Sequence, residues 1–149
     1  PDWIFGHTSQ FAYQNVDFSF TLRAHLGQQV YNNVASNFGH FNNLSNFAPS
    51  NVHESALENE FETPQYFSDV YVEDASFLRL DNVSLGYTVR SLPSVDRLRI
   101  FARASNLFVL TGYSGPDPEV GGPGSSNIGI DDQVYPRSRT FTAGINLQL

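Results

Sequence analysis

Four acidic residues in the second half of the chain are the first candidates for chemistry. Asp117, Glu119, Asp131 and Asp132 lie in one stretch rich in Gly and Pro. Carboxylates gathered on a loop are ligands that Ca²⁺ takes, several oxygens to one ion. The regular spacing of an EF-hand loop is absent, and nothing fixes the separation of two carboxyls that glycoside hydrolysis needs. The stretch can therefore be a calcium-binding loop or a solvated acidic loop, and the spacing favours the second.

The histidines and the absence of cysteine exclude most other site chemistry. His7, His25, His40 and His53 have no ligand partner at helical or hairpin spacing. The chain has no Cys, so thiol chemistry, disulfides and Cys-based zinc sites are excluded. We predict no catalytic residues, no metal site and no cofactor, and hence a chain that is not an enzyme.

Aromatic residues concentrate in two long segments that lack a strand pattern. Such residues stack on sugars and are enriched at protein interfaces, but a large loop also packs them against itself, and the sequence leaves all three uses open. Tyr113, Asp117 and Glu119 are our candidates for contacts to a substrate or a partner. The aromatic residues concerned are Phe38, Phe41, Phe47, Tyr66, Phe67, Tyr71 and Tyr113.

The elements that position these residues are strands. From Val16 to Leu26, apolar and polar residues alternate without a break, which predicts a strand with one face of each kind. A transmembrane strand needs about 9–11 residues, whereas strands in soluble domains are more often about 5–6 residues long. The same alternation predicts strands at about 139–149 and 97–110, with a weaker candidate at about 8–13.

The strand predicted at 77–89 changes phase. Leu78 and Leu80 occupy one phase, whereas Val83 and Leu85 occupy the other. Either a β-bulge near Asp81–Asn82 restores the phase, or the first half lies where alternation is not enforced. No segment has a convincing helical period, so the sequence predicts an all-β chain.

The connections between the predicted strands are very unequal in length. The links near 14–15 and 90–96 are short, whereas 27–76 and 111–137 are far longer than the loops of compact domains. If the strands run up and down, both short links lie at one end and both long loops at the other. Bacterial outer-membrane barrels have this asymmetry, with short periplasmic turns and long extracellular loops.

Composition agrees with strands that have one face in lipid. Of the 149 residues, 40% are hydrophobic and only 15% are charged, and the net charge is −7 with eight Arg and no Lys. This balance argues against nucleic-acid binding, which uses a basic patch. No stretch approaches the roughly 18 apolar residues of a membrane helix. Since the chain begins at Pro1 and has no Met, we expect it to be part of a longer protein.

Five strands cannot close a membrane barrel, which starts at about eight. We therefore interpret the chain as one arc of a larger barrel. Arg23, Arg99 and Arg103 lie on the polar faces of their strands, and an Arg on the lipid face would cost about 2–4 kcal/mol near the midplane. The three are accordingly predicted to face the lumen, where they either meet solvent or pair with a plug.

Three ordered motifs resemble the SusC/RagA family of TonB-linked outer-membrane proteins. They are DASFLRLDNVSLGY at 74–87, ASNLFVLTGYSGPDPE at 104–119 and VYPRSRTFTAGINL at 134–147. The upstream segments DFSF at 17–20 and GQQVYN at 27–32 also fit the family, so the resemblance covers nearly the whole chain. The family commonly ends in Phe, whereas this chain ends in Leu149; Gly144, Leu147 and Leu149 still fit the assembly signal of such strands.

The resemblance implies the C-terminal antiparallel strands of a barrel of about 22 strands with a plugged lumen. The whole protein would be a TonB-dependent importer of oligosaccharides or peptides in the bacterial outer membrane, with a SusD-type lipoprotein partner. Its plug and its TonB-contacting segment lie outside these 149 residues. The long loops would be extracellular and the C-terminus periplasmic. The alternatives are a secreted β-sandwich that binds carbohydrate and a structural or adhesin-type barrel.

Overall fold

The computed structural model describes residues 1–45, 51–92, 95–121 and 127–148. They form two compact units. The first, called the sheet unit here, comprises 1–26, 77–111 and 137–149. The second, called the loop unit, comprises 27–76 and 112–136. No described helix is long and apolar enough to cross a membrane.

The sheet unit is one antiparallel sheet of five strands in the order β1-β2-β5-β6-β8. A two-residue turn joins the first two strands, and its first residue, Gln14, has a positive φ of 53°. The strands are β1 Trp3–Tyr13, β2 Val16–Leu26, β5 Phe77–Leu92, β6 Val95–Thr111 and β8 Thr140–Gln148.

The strands differ in length from the ranges that alternation predicts. β1 begins at Trp3 rather than near residue 8, although His7 and Ser9 interrupt its apolar face. Pairing with β2 accounts for the greater length of β1, since every residue of β1 has a partner in β2. β5 and β6 likewise run on toward their shared hairpin, where alternation is weak but ladder hydrogen bonds continue.

A β-bulge explains the change of phase in β5. The register of β5 skips Asp81 against both neighbouring strands, between Leu80 and Asn82. The extra residue returns Leu78 and Leu80 to the same face as Val83. Of the two explanations that the sequence left open, the structure therefore has the bulge.

The loop unit is folded, and it contains short helices that the all-β prediction missed. Its sheet has the order β4-β3-β7, and a buried cluster of Val30, Ala75, Tyr113 and Val120 forms its core. These helices have at most six residues, too few for a helical period to be visible in the sequence. The elements are β3 Gln29–Asn32, α1 Asn33–Phe38, α2 Asn42–Ser45, α3 Ser55–Asn59, a 3₁₀ turn Asp69–Tyr71, β4 Val72–Asp74 and β7 Ile130–Asp131.

The two long segments fold together and not separately. β3 comes from the first segment and pairs in parallel with β7 of the second, Tyr31 opposite Ile130. β3 also pairs antiparallel with β4, from the end of its own segment. The central strand of the small sheet thus joins residues that are about a hundred positions apart.

Candidate functional site

The polar face of the five-stranded sheet carries the arginines that the sequence singled out. Arg23 lies on β2, and Arg99 and Arg103 lie on β6, all in the polar phase of their strands. One row of this face contains Asp17, Gly86, Phe101 and Gly144, which are directly paired from strand to strand.

Arg99 forms a two-pronged ion pair with Asp17 across the strand between them. Its Nε donates to Oδ1 at 2.9 Å, and its Nη2 donates to Oδ2 at 2.5 Å. β5 separates the two residues, and Gly86 occupies the crossing point. A Cβ at position 86 would lie 2.4 Å from Asp17 Oδ1 and 2.5 Å from Arg99 Nη2, so any other residue would displace the ends of these two side chains.

Phe101 is held by its neighbours in the same row. The Arg99 guanidinium lies 5.1 Å from the centre of the Phe101 ring, within the range of a cation–π contact. On its other side the ring covers Gly144, where a Cβ would come within 2.6 Å of Phe101 Cζ. Gly144, predicted as part of an assembly signal, thus has a packing role in the structure.

A second ion pair lies beside the bulge. Arg23 donates from Nε and Nη2 to the two carboxylate oxygens of Asp81, at 3.0 and 3.2 Å. Arg79 is buried and donates to Asn106 Oδ1, and both guanidinium groups lie near the Phe77 ring, at 5.7 and 5.4 Å. The bulge residue Asp81 therefore supplies the partner of a predicted lumen arginine.

Arg103 differs from the other two predicted arginines. It is exposed, and within the described residues it forms no ion pair. Ser84 and Thr142 are its cross-strand neighbours, and neither carries a charge.

In the loop unit, Tyr113 is an interior residue and not a surface contact. Only 6% of it is exposed, and its hydroxyl donates to Asp131 Oδ2 at 2.7 Å. Burial and the adjacent Asp131 carboxylate raise the pKa of Tyr113 above its ordinary range. Asp131, itself 1% exposed, also accepts the Val134 N–H at 3.2 Å.

Asp117 also has a structural role, whereas Glu119 is only partly covered. Asp117 is 3% exposed, and its Oδ1 accepts the N–H of Glu119 at 2.9 Å, which closes a local turn. Of the three predicted loop contacts, Tyr113 and Asp117 are therefore buried in the loop unit.

Asn32 is the buried centre of a polar network that the sequence analysis missed. Its amide donates to Glu73 Oε1 at 2.9 Å and to Ser114 Oγ at 3.1 Å, and its Oδ1 caps α1 at the Ala35 N–H. Glu73 accepts two further hydrogen bonds from Ser114, from its N–H and its hydroxyl. The one visible signal is Asn directly before a short helix, the residue type preferred at an N-cap.

An open cleft lies next to this network. It has a volume of about 560 Å³, and its walls combine polar groups with an exposed aromatic ring. Tyr135 is 91% exposed, so its ring is accessible from the cleft. The lining includes Asn32, His53, Ser114, Pro116, Gln133 and Tyr135.

A second cleft of about 450 Å³ lies elsewhere in the loop unit, between the small sheet and the 3₁₀ turn. Tyr31, Phe67 and Ile130 are among the residues that line it. Phe67 has a positive φ of 59°, and its N–H donates to the Tyr31 hydroxyl at 2.9 Å.

The remaining predicted site residues fall as follows. Among the described residues, no three His, Asp or Glu side chains are grouped so as to hold a metal ion. Leu147 lies on the apolar face of β8 opposite Leu98. Leu149, the last residue of the predicted assembly signal, and Phe47 lie outside the described residues.

Charge is divided sharply between the two units. The loop unit has eleven acidic residues and no Lys or Arg, whereas all eight Arg of the chain and only four Asp belong to the sheet unit. The net charge of −7 therefore combines an anionic loop unit with a cationic sheet unit.

Comparison with known proteins identifies the class as TonB-dependent outer-membrane receptors. The chain is 38% identical over 156 aligned positions to the TonB-dependent receptor SusC of Bacteroides thetaiotaomicron. It is 31% identical over 168 positions to the TonB-dependent receptor P26 of Formosa agariphila. Each match covers 99% of this chain, which spans only 15% and 17% of the length of these two relatives. No family model matches the chain.

Solved structures agree on the fold. The RagAB peptide importer in its closed-closed state matches with a TM-score of 0.76 and 24% identity, over 97% of this chain and 17% of that one. The RagAB peptide transporter matches with a TM-score of 0.69 and 25% identity, over 95% and 16%.

The particular family is the SusC/RagA family, and the chain fits a C-terminal segment of such a protein. The family predicted from the three motifs is thereby confirmed. Its antiparallel sheet matches the C-terminal part of a TonB-dependent receptor barrel. The relatives are receptors and not enzymes. The match to them contradicts the alternative prediction of a secreted β-sandwich.

Proposed function

We propose that this chain is wall and external loops of a SusC-like TonB-dependent transporter that imports oligosaccharides or peptides with a SusD-type lipoprotein partner. The observation that carries the proposal is the division of the sheet into a mainly apolar and a mainly polar face. Across five strands the register puts apolar side chains opposite apolar ones, as in Leu85 with Ala102 and Ile100 with Ile145. The bulge at Asp81 preserves that division where the sequence would break it.

The dimensions of the apolar face suit an outer membrane. Exposed aromatic residues lie near both ends of β1, with Trp3 and Phe5 at one end and Phe11 and Tyr13 at the other. At about 3.4 Å per residue, Trp3 and Tyr13 are roughly 34 Å apart along the strand. A tilt of about 40° reduces this to a height of roughly 26 Å, against an apolar band of about 25 Å flanked by aromatic girdles.

The two faces and the unequal connections support an orientation. The short link near residues 14–15 is then periplasmic and the long segments 27–76 and 111–137 are extracellular, as in outer-membrane barrels with short periplasmic turns. Arg23, Arg99 and Arg103 then face the lumen, and Leu147 faces lipid. Residues 1–149 are one barrel segment, and the plug and the TonB-contacting segment belong to other parts of the protein.

The open cleft of the loop unit is the proposed contact with substrate or with the lipoprotein partner. The exposed ring of Tyr135 and the amide of Gln133 suit either a sugar or a peptide backbone. Sugars and peptide backbones both offer a flat surface and hydrogen-bonding groups. Tyr113 supports this cleft from the interior, since its hydroxyl donates to Asp131, which lines the cleft.

Uptake by cells that express the complete receptor tests the proposal. We expect Tyr135→Ala to reduce uptake of the cognate oligosaccharide or peptide at least several-fold with normal surface abundance. Tyr66→Ala is the matched control, because Tyr66 is also exposed but does not line the cleft. Equal uptake by both variants would exclude the cleft as the contact. Absence of the receptor from the outer-membrane fraction would overturn the transporter assignment itself.

A further inference from the structure

His53 lines the open cleft, and its backbone and one of its ring nitrogens are fixed by hydrogen bonds. Its N–H donates to the Phe38 carbonyl at 2.8 Å, and its own carbonyl accepts the N–H of Ala56 at 3.0 Å. The ring nitrogen Nδ1 accepts the backbone N–H of Ser55 at 3.2 Å and lies 3.0 Å from Ser55 Oγ. Ser55 is itself buried, so these contacts hold the imidazole ring in one orientation.

The contact with Ser55 decides which ring nitrogen of His53 carries the hydrogen. A backbone N–H only donates, so Nδ1 is the acceptor and carries no hydrogen. In the neutral imidazole the other nitrogen, Nε2, then has the hydrogen and is a donor. The two ring nitrogens point in widely different directions, so the Nε2–H group is directed away from Ser55.

The buried polar groups of the cleft are already paired within the loop unit. Asn32 is 2% exposed, and its amide donates to Glu73 and Ser114. Asp131 is 1% exposed, and each of its carboxylate oxygens accepts a hydrogen bond. Buried groups that have their partners stabilise the loop unit itself. An occupant of the cleft therefore depends on other side chains for its hydrogen bonds.

Three more accessible side chains of the cleft keep hydrogen-bonding groups for an occupant. His53 offers its Nε2–H, Gln133 offers an amide, and Tyr135 offers a hydroxyl on an exposed ring. In the part of the chain that the structure describes, none of these three groups has a hydrogen-bond partner. The His53 donor is also ordered before binding, so its use costs little conformational entropy.

We propose that His53 is a recognition residue of the open cleft, and that its Nε2–H donates to an uncharged oxygen of the imported substrate. A sugar hydroxyl and a peptide carbonyl share this chemistry. The proposal rests on the proposed function, in which the cleft contacts the substrate, and it adds the direction of one hydrogen bond and the charge of its acceptor. The loop unit has eleven acidic residues and no Lys or Arg, so it repels a carboxylate or a sulfate.

Two substitutions of His53 separate the roles of its ring nitrogens. The amide of Asn lies near the place of Nδ1, whereas the amide of Gln lies near the place of Nε2. His53→Asn thus keeps an acceptor for the Ser55 N–H and loses the donor to the cleft. His53→Gln keeps a donor to the cleft and loses that acceptor.

Binding by the complete receptor, purified in detergent and immobilised, is the measurement. It is exposed to two labelled pools, one of oligosaccharides from partly hydrolysed plant cell walls and one of tryptic peptides. Mass spectrometry identifies what the native receptor retains. A retained neutral oligosaccharide identifies the acceptor as a hydroxyl, and a retained peptide identifies it as a carbonyl.

We expect opposite orders of effect on affinity and on folding. His53→Asn should weaken binding of the retained compound about five- to ten-fold, as for the loss of one hydrogen bond. His53→Gln should weaken it less. Limited proteolysis of the loops should be faster for His53→Gln than for His53→Asn, because only Gln leaves the Ser55 N–H without its acceptor. If His53 only supported the loop unit, affinity would instead follow resistance to proteolysis.

His7→Asn is the matched control, because His7 lies on β1 in the sheet unit and does not line the cleft. Its affinity should equal that of the native receptor. Native affinity in His53→Asn would overturn the proposal, and loss of the co-purified lipoprotein from that variant would assign His53 to the partner instead. Retention of nothing from either pool, or only of acidic oligosaccharides and peptides rich in Asp and Glu, would also overturn it.

Failure of this inference and failure of the proposed function give different results. If Tyr135→Ala weakens binding while His53→Asn binds as the native receptor does, only the role of His53 is refuted. If both variants keep native affinity for the retained compound, the cleft is not the contact with the substrate. A receptor absent from the outer-membrane fraction refutes the transporter assignment, whatever compound is retained.

Discussion

Arg99 on β6 and Asp17 on β2 form an ion pair across β5, the strand that lies between theirs. The residues are 82 positions apart in sequence, and their two hydrogen bonds pass over Gly86 on β5. The pair thereby ties three strands together on the polar face. Because both side chains are partly exposed, at 24% and 40%, its contribution to stability is expected to be about 1 kcal/mol or less.

Gly86→Ala is predicted to destabilise the sheet. The added Cβ would displace the ends of the Asp17 and Arg99 side chains, so the expected loss is that of their ion pair, about 1 kcal/mol or less. Thermal unfolding of the barrel, followed by its migration on gels, measures the loss. Gly6→Ala on β1 is the matched control, because a Cβ there meets nothing within 4 Å. Combining Gly86→Ala with Asp17→Ala should add little further loss, and strict additivity would contradict the displacement.

Deletion of Asp81 is predicted to prevent insertion of the barrel. Without the extra residue of the bulge, residues 77–80 exchange faces and Arg79 moves to the apolar face. An Arg on the lipid face costs about 2–4 kcal/mol of barrel stability near the midplane. The abundance of the receptor in the outer membrane is the measurement. Asp81→Ala keeps the bulge and removes only the pair with Arg23, so its abundance should stay near that of the native receptor. Equal abundance of the two variants would mean that the bulge does not set the phase.

Tyr113 is predicted to make the loop unit sensitive to alkaline pH. Its pKa in the folded state lies above the ordinary value of 10.0, so the folded state favours the protonated hydroxyl. The stabilisation is complete below about pH 10 and is lost as the pH rises through the folded-state pKa. Limited proteolysis of the loops at increasing pH reports the loss.

Tyr113→Phe should weaken the loop unit at every pH and flatten its alkaline dependence. The substitution removes the hydroxyl that donates to the Asp131 carboxylate. The loss of a hydrogen-bond partner by a buried group lowers the free energy of unfolding by about 1–3 kcal/mol. Tyr135→Phe is the control, because Tyr135 is almost fully exposed and should change neither stability nor pH dependence. A pH profile of Tyr113→Phe identical to that of the native protein would show that another group titrates.

Leu149→Asp is predicted to impair assembly. Gly144 and Leu147 have the spacing of a C-terminal assembly signal with Leu149, and a charge at its last apolar position should weaken recognition by the insertion machinery. Insertion into the outer membrane is the measurement. Leu57→Asp is the control, since Leu57 is exposed on α3 in the loop unit. Insertion of Leu149→Asp at the native level would exclude a role for this residue in the signal.

The sequence predicted the sheet well because apolar and polar residues alternate along its strands, so that the type of each residue indicates the face on which it lies. Alternation located β2 and β6, and the conflict of phase at Leu80 and Val83 located the bulge. The start of β1 was missed because His7 and Ser9 occupy its apolar face, where they form a hydrogen bond with each other at 2.7 Å.

The loop unit could not be predicted in the same way. Its helices are too short for periodicity, and its buried groups are polar, so hydropathy does not distinguish Asn32 or Asp131 from surface residues. The burial of Tyr113 and Asp117 depends on contacts between distant segments. For such residues the type indicates that a hydrogen bond will form, but not which partner will form it.

The parallel pairing of β3 with β7 makes the two long segments a single unit of exchange. Consider a chimera in which residues 27–76 come from one receptor and the second long segment from another. Its β3 would have to pair with the β7 of the other receptor, and Asn32 and Glu73 would have to bond to the residue that the other receptor has at position 114. Specificity should therefore be transferable between receptors only when both segments move together. In evolution, each segment constrains the changes that the other can accept, so the two should diversify as a pair.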